Sequence, residues 1–346
     1  MAEIGRYQAD DQRALEALYR RVFGHGAAEL SRLRWDWQYR QNPSNPDDQP
    51  LIWVAREGTS VVGQLAAMPV TLGLDGREVR ATWGTDAMVA PERRGIGLGE
   101  LLLRHWDANV AAALGLGLSE SSAPLIRKLR WPVLTVPCLV KPLSRRALRM
   151  PNWSMTANRL VSALTLPVIR IVNRARPLAA ETRLIRRFDD GFSALWARVG
   201  GAFDFAVRRD AAYLNWKYVA PPHVRYSIAA LRRGDEDAGY VVYRHLHEPL
   251  GRVTLIVDFL VDPGDTAAMQ TLLGWVDREA RAADSDKIRC YTLHEGYRRQ
   301  LRRAGYFTIK SSLELVAKIN AIELPSTYYQ QTDRWHVTLG DGDYDR

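Results

Sequence analysis

The sequence predicts an α/β fold of two tandem modules, each a β-sheet flanked by helices. Three observations predict it. Strand and helix signals alternate through both halves of the chain, the second half echoes the first, and a glycine-rich turn joins a strand to a helix in the first half. At 346 residues and 47% hydrophobic content, the chain can fill a core in each of two domains of ordinary size.

Asp10 to Phe23 reads as a helix, because Leu15, Leu18, Val22 and Phe23 recur at helical spacing behind an acidic start. Leu51 to Arg56 and Val61 to Leu72 read as strands joined by a turn at Glu57, Gly58 and Thr59, and Val79 to Ala90 as a third strand. That strand runs into Pro91-Glu-Arg-Arg-Gly-Ile-Gly-Leu-Gly99, after which Leu98 to Leu114 is expected to form one long helix. These elements define an N-terminal domain over residues 1–143. Residues 144–187 turn basic and apolar and read as an inter-domain segment, residues 188–320 mix helix and strand signals again, and residues 321–346 form an acidic tail. The tail places Asp341, Asp343 and Asp345 at alternating positions. Such acids are expected to be solvated, although Trp335 and Thr338 before them suggest a segment that docks.

The internal echo has three parts in the same order. Trp37-Gln-Tyr39 followed by Pro43 matches Trp216-Lys-Tyr218 followed by Pro222. Ala55-Arg-Glu-Gly58 then Gly63 matches Leu231-Arg-Arg-Gly234 then Gly239, and Asp86-Ala-Met-Val-Ala-Pro91 matches Asp258-Phe-Leu-Val-Asp-Pro263. The separations drift by only a few residues, as changes in loop length allow. After the second proline the match fails: Gly264-Asp-Thr-Ala-Ala-Met269 carries an acid and bulkier side chains where the first copy has glycines.

A pyrophosphate needs several backbone N–H donors aimed into one small volume, and side chains in that turn would block it. Gly95, Gly97 and Gly99 remove them, the following helix adds free N–H groups and a partial positive charge, and Arg93 and Arg94 add cations at the mouth. The run Arg94-Gly-Ile-Gly-Leu-Gly99, with Val89-Ala-Pro91 before it, resembles the acetyl-CoA-binding motif of the GNAT acyltransferase superfamily. The resemblance extends over about residues 1–143 and, in degenerate form, 188–318. It implies two tandem GNAT-like modules, each with a mixed, splayed β-sheet. It also implies acetyl-CoA or another acyl-CoA held by Met88, Val89, Arg93, Arg94, Gly95, Ile96, Gly97, Leu98, Gly99 and Ser119, and direct attack by an amine on the thioester. Trp35 and Tyr39 fall in the segment that borders the acceptor in the family. The family's helix after the splayed strand usually carries a tyrosine that protonates the leaving thiolate; here the matching stretch, Ser119 to Trp131, has Ile126 at that position. Either another donor protonates the thiolate or, since a thiol is already fairly acidic, none is needed.

An ammonium has no lone pair, so attack also calls for a base. The expected carboxylates are Asp86, on the strand entering the cofactor turn, and Glu120, at the end of the next strand; Asp258, in the same place in the second copy, gives Asp86 a structural alternative.

The formal charge of +9 favours anionic partners, but no nucleic-acid module is recognisable. The two cysteines, Cys138 and Cys290, have neither metal-ligand nor redox spacing, and His245-Leu-His247 lacks a third ligand, so no metal is expected. No Gly-x-Ser-x-Gly elbow supports hydrolase chemistry. The first residues lack the apolar stretch of a signal peptide, so a cytoplasmic protein is expected, with residues 158–176, apolar and arginine-rich, as a candidate peripheral membrane contact. The reading is an N-acyltransferase acting on a small-molecule primary amine, such as an amino sugar or envelope precursor. O-acyl or long-chain transfer on the same fold and a non-catalytic acyl-CoA sensor are the alternatives.

Overall fold

The computed structural model describes residues 2–45, 49–148 and 182–343; the candidate membrane segment 158–176 lies outside them. The first module runs β1 (Glu3–Arg6), α1 (Gln12–Phe23), α2 (His25–Trp35), β2 (Leu51–Glu57), β3 (Ser60–Leu74), β4 (Arg77–Val89), α3 (Leu98–Ala108), β5 (Ala112–Leu116), α4 (Ser122–Lys128), β6 (Val133–Thr135) and β7 (Cys138–Pro142). The second runs β8 (Thr182–Ile185), α5 (Asp190–Val199), β9 (Phe205–Val207), α6 (Ala211–Tyr218), β10 (Ser227–Arg233), β11 (Glu236–Glu248), β12 (Gly251–Val261), α7 (Thr266–Ala282), β13 (Lys287–Tyr291), α8 (Glu295–Arg303), β14 (Phe307–Ile309) and β15 (Glu314–Ile319); β16 (Trp335–His336) follows in the tail.

Local chemistry explains most boundaries. Helix α1 buries Leu15, Leu18 and Tyr19 and stops at Gly24, whose φ of 88° a side chain would disfavour. The β3–β4 hairpin turns through Asp75 and Gly76, both left-handed, which suits the twist of the flanking strands. One expectation is corrected here: the helix after the glycine turn ends at Ala108, and Ala112–Leu116 is a strand. Asn109 closes the helix by donating its side-chain amide to the His105 carbonyl at 2.7 Å. The short apolar run beyond it has no period that separates a buried strand from a helix, so burial between neighbouring strands decides.

One sheet is ordered β1-β2-β3-β4-β5-β15-β6 and the other β8-β10-β11-β12-β13-β7-β14. Along these paths the two orders are equivalent element for element, apart from one exchange, and the first sheet additionally carries β9 and β16 beside β3. The last strand of each module, β7 or β15, sits in the other module's sheet: β7 pairs with β13 and β14, and β15 pairs with β5 and β6. The modules are therefore tied by backbone ladders as well as by side chains. Trp37 and Trp216, the matched tryptophans of the repeat, stack with ring centroids 5.4 Å apart. Each donates its indole N–H to the other's backbone carbonyl, at 2.6 and 2.7 Å. The hydrophobic core is continuous across this seam, running from Trp37 and Leu72 in the first module to Tyr213 and Phe259 in the second.

The tail departs from the solvated expectation. Trp335 to Gly342 are buried. Strand β16 pairs with β9, which in turn pairs antiparallel with the end of β3, so the tail joins the first sheet. Asp341 goes inside because Arg209 donates to both of its oxygens at 2.9 Å and the Thr338 amide donates at 2.7 Å, satisfying the carboxylate that water would otherwise solvate.

Candidate functional site: the splay of the first sheet

Strands β4 and β5 run parallel and pair at Thr82/Ala113 and Trp83/Leu114. Beyond these pairs β4 is bent by a bulge: Gln64 faces Met88 and Ala66 faces Thr85, so Asp86 and Ala87 share Leu65 as their opposite number. Asp86 adopts a left-handed φ of 44°, a conformation in which Asp is tolerated better than most residues. A cavity of about 260 Å³ fills the splay. Its inner wall is apolar, from Leu103, Trp106, Leu114, Leu116, Ile126 and Trp131, and its rim is polar, from Thr85, Asp86, Ser119, Ser121, Ser122 and Asp343. Trp106 closes the floor against bare backbone: a Cβ on Gly84 would lie 2.7 Å from its ring, while its indole N–H donates to Thr82 Oγ1 at 2.9 Å.

The turn that follows β4 supplies the anion cradle. Gly95 and Gly97 have φ of 81° and 88°, and a Cβ at either would meet no protein atom within 4 Å, so these positions face open space. Gly97 is the N-cap of α3, leaving the first-turn amides of Leu98, Gly99 and Glu100 directed out of the helix. Gly99 serves another purpose than the sequence suggested: its added Cβ would stand 3.2 Å from Leu125, so it lets α4 approach α3. Glu100 would oppose an anion here, but Arg104 and Lys128 both pair with it, at 2.9 and 2.6 Å. Arg93 is likewise held by Glu57 at 2.7 Å, whereas Arg94 donates from Nε to the Val89 carbonyl. Ile96 is exposed, Leu98 and Met88 are buried, and Val89 is half-buried. Ser119 exchanges hydrogen bonds with Ser121 and Ser122 on the cavity rim.

The second module shows what happens without this turn. Its ladder continues one pair further, to Ile256/Cys290, so the strands stay closed where the first pair splays. The equivalent space shrinks to about 10 Å³ between Ile256, Met269, Leu272 and Leu301. At the head of α7 the N-cap is Asp265, which accepts from the Ala268 amide at 2.9 Å and pairs with Arg233 at 2.8 Å, placing a carboxylate where an anion would bind.

The expected acid–base residues fall in unlike places. Asp86 lines the cavity, but its oxygens accept from Arg34 at 2.8 Å, Tyr39 at 2.6 Å and Tyr19 at 3.1 Å. Burial works against the Arg34 charge, yet Asp86 beside it holds the guanidinium above its ordinary value. Burial, reinforced by Asp86, pushes the Tyr39 hydroxyl well above its ordinary value, so Tyr39 donates and does not ionise. Glu120 is exposed and is not part of the lining. Trp35, half-buried, packs between Tyr7 and Tyr39 against the core of the first module, and Tyr39 is buried behind Asp86. His245 accepts or donates at Thr254 Oγ1, 2.9 Å away.

Sequence reasoning did not single out Arg34 or Trp106, and it named Asp343 only as one of three alternating acids in a tail that could dock. For Arg34 the only signal was its place within Leu33-Arg-Trp-Asp-Trp37, and for Asp343 the alternating acids of the tail. Gly342 brings Asp343 to the site: a Cβ on it would lie 2.8 Å from Leu116, so only glycine lets the tail lie this close to β5.

Residues 3–125 match the family model described as acetyltransferase (GNAT) domain. No curated protein sequence is significantly similar to the chain. Among solved structures, a GCN5-related N-acetyltransferase from Anabaena variabilis superposes with a TM-score of 0.62 at 13% identity, covering 92% of this chain and 73% of that one. Saccharomyces cerevisiae N-myristoyltransferase with bound myristoyl-CoA gives 0.57 at 14% identity, covering 92% and 82%. A conserved protein of unknown function from Enterococcus faecalis gives 0.63 at 12%, covering 93% and 73%. At these identities the likeness is one of fold, and it spans both modules. The match to the acetyltransferase (GNAT) domain is thus confined to residues 3–125 of the N-terminal module, and a second module is built on the same strand order.

Proposed function

We propose that the chain is an acyl-CoA-dependent N-acyltransferase whose first module binds the donor and whose acceptor is a primary amine of a small molecule. The observation that carries this reading is the alignment of an open, side-chain-free turn at the head of α3 with a 260 Å³ cavity in the β4–β5 splay. An acyl-CoA has the matching parts: a pyrophosphate for the turn, a narrow arm for the gap between strands, and a thioester for the bulge. The yeast neighbour binds an acyl-CoA on the same fold, which supports the donor class. The residues present fit that substrate. The amides of Leu98, Gly99 and Glu100 with Arg94 would meet the pyrophosphate, the β4 edge at Met88 and Val89 would flank the arm, and Ser119 would stand at the cavity mouth. We place the reaction in the cytoplasm, where acyl-CoA is available, and propose an acetyl or other short acyl group because Trp106 and Trp131 close the inner wall.

The test is CoA release from acetyl-CoA over a panel of small amines, followed by thiol detection. Turnover with one or more amines, sensitive to Gly97→Glu, is the expected result. CoA binding without release for any amine would overturn acetyl transfer to amines and leave the O-acyl, long-chain and sensor readings.

A further inference from the structure

We infer that the carboxylate serving the acceptor amine is Asp343, delivered by the C-terminal tail, and that its proton leaves through a small polar hollow between the modules. The inference rests on the acyl-transfer reading above. Among the cavity's lining residues the carboxylates are Asp86 and Asp343. Asp86 already accepts from Arg34, Tyr19 and Tyr39, and a proton taken there would weaken a buried ion pair. Asp343 differs in position: it lines both the donor cavity and a second hollow of about 20 Å³ walled by Arg34, Gln38, Lys217, His223 and Tyr226. That volume holds roughly one water, and the polar wall gives it partners. Asp343 is the lining residue the two spaces share.

The tail is fixed in the two residues that lead into Asp343. Asp341 is locked to Arg209, Lys217 donates from Nζ to the Gly342 carbonyl at 2.5 Å, and Gly342 lies on Leu116. A carboxylate so held can be placed to within the tolerance that proton transfer requires. The step balances as follows. Asp343 takes one proton from the bound ammonium, and the freed nitrogen lone pair attacks the thioester carbonyl carbon. A C–N bond forms, the C–S bond breaks and CoA leaves as thiolate, which takes the second proton released by the nitrogen and becomes thiol, and the first proton passes from Asp343 to the water of the hollow. Acyl-CoA and ammonium thus give amide, CoA thiol and one proton.

The experiment uses the full chain and the best amine from the panel. Asp343→Asn should lower kcat by about 100-fold at neutral pH while leaving CoA affinity unchanged, with the loss shrinking as pH rises toward the pKa of the amine. Asp343→Glu should recover part of the rate. Gly342→Val, which pushes the tail off Leu116, should lower kcat with CoA affinity again unchanged. Near wild-type kcat for Asp343→Asn across the pH range, or a loss that high pH does not relieve, overturns the inference while wild-type turnover keeps the acyl-transfer reading. Absence of turnover by the wild-type chain with every amine removes both.

Discussion

Arg34 and Asp86 form an ion pair at 2.8 Å with both side chains almost wholly screened from water, and Arg209 and Asp258 repeat it in the second module at 3.1 Å. The second pair sits in a module whose strands do not splay, so such a pair does not require a ligand to be kept. Its common feature is the bulge. In each module the acid lies where the register of the central hairpin shifts, beside a local break in the ladder. A buried carboxylate pinned by an arginine and a tyrosine fixes that bend, and in the first module it also holds the left-handed backbone at Asp86.

The first prediction follows from this brace. Arg34→Met leaves Asp86 buried without its cation and should destabilise the chain by about 3 to 5 kcal/mol, read from the urea midpoint. Arg34→Met combined with Asp86→Leu should cost much less than the sum, since neither charge is then stranded. Asp86→Asn should lose stability and turnover together, with no recovery of turnover at high pH. Full stability with a pH-relieved rate loss would make Asp86 the base and not a brace.

A second prediction concerns stoichiometry. The two modules share strand order, yet among the described residues only the first offers glycines in left-handed conformation facing open space at a helix head, while Asp265 occupies that place in the second. Calorimetry with CoA should give one site per chain. Gly97→Glu should abolish it, because the side chain projects a carboxylate into the cradle from a strained backbone. Asp265→Gly should leave the stoichiometry at one, since the closed β12–β13 ladder leaves only about 10 Å³. Two equivalent sites would contradict the asymmetry.

Much of this was written locally and could be read from sequence. The glycine turn, the strand before it and the repeat of Trp37 as Trp216 all depend on neighbours within a few residues. The exchange of β7 and β15 was not legible, because a strand keeps the same alternation whichever sheet receives it. Nor was the partner of Asp86. Asp86 and Asp258 match in the repeat, but Arg34 comes from α2 and Arg209 from the loop after β9, so the same charge is supplied from places the repeat does not align. The tail misled for a related reason. Asp341 and Asp343 look alike in sequence, and only the fold makes one a buried partner of Arg209 and the other a lining residue of the cavity.

The last prediction is a loss of stability in mild acid traced to His294. This residue caps α8, its Nδ1 accepting from the Tyr297 amide at 3.3 Å, and its ring lies against Phe203 and Tyr297. Burial, with Arg334 and Arg298 adding repulsion, lowers its pKa to about 4. His336, stacked on the same Phe203, is pushed well below its ordinary value by burial and by Arg209. The unfolded chain therefore binds protons at these histidines from about pH 6.5 downward, while the native chain does not take one at His294 until about pH 4. The stabilisation is complete above pH 6.5 and is lost as pH falls through this window, by about 3 kcal/mol for His294 alone. Protonation of Nδ1 would also remove the acceptor that caps the helix. His294→Asn keeps a capping acceptor and does not titrate, so its urea midpoint should fall less between pH 7.5 and pH 5 than that of the wild type. Equal falls in both proteins would show that His294 does not carry the acid sensitivity.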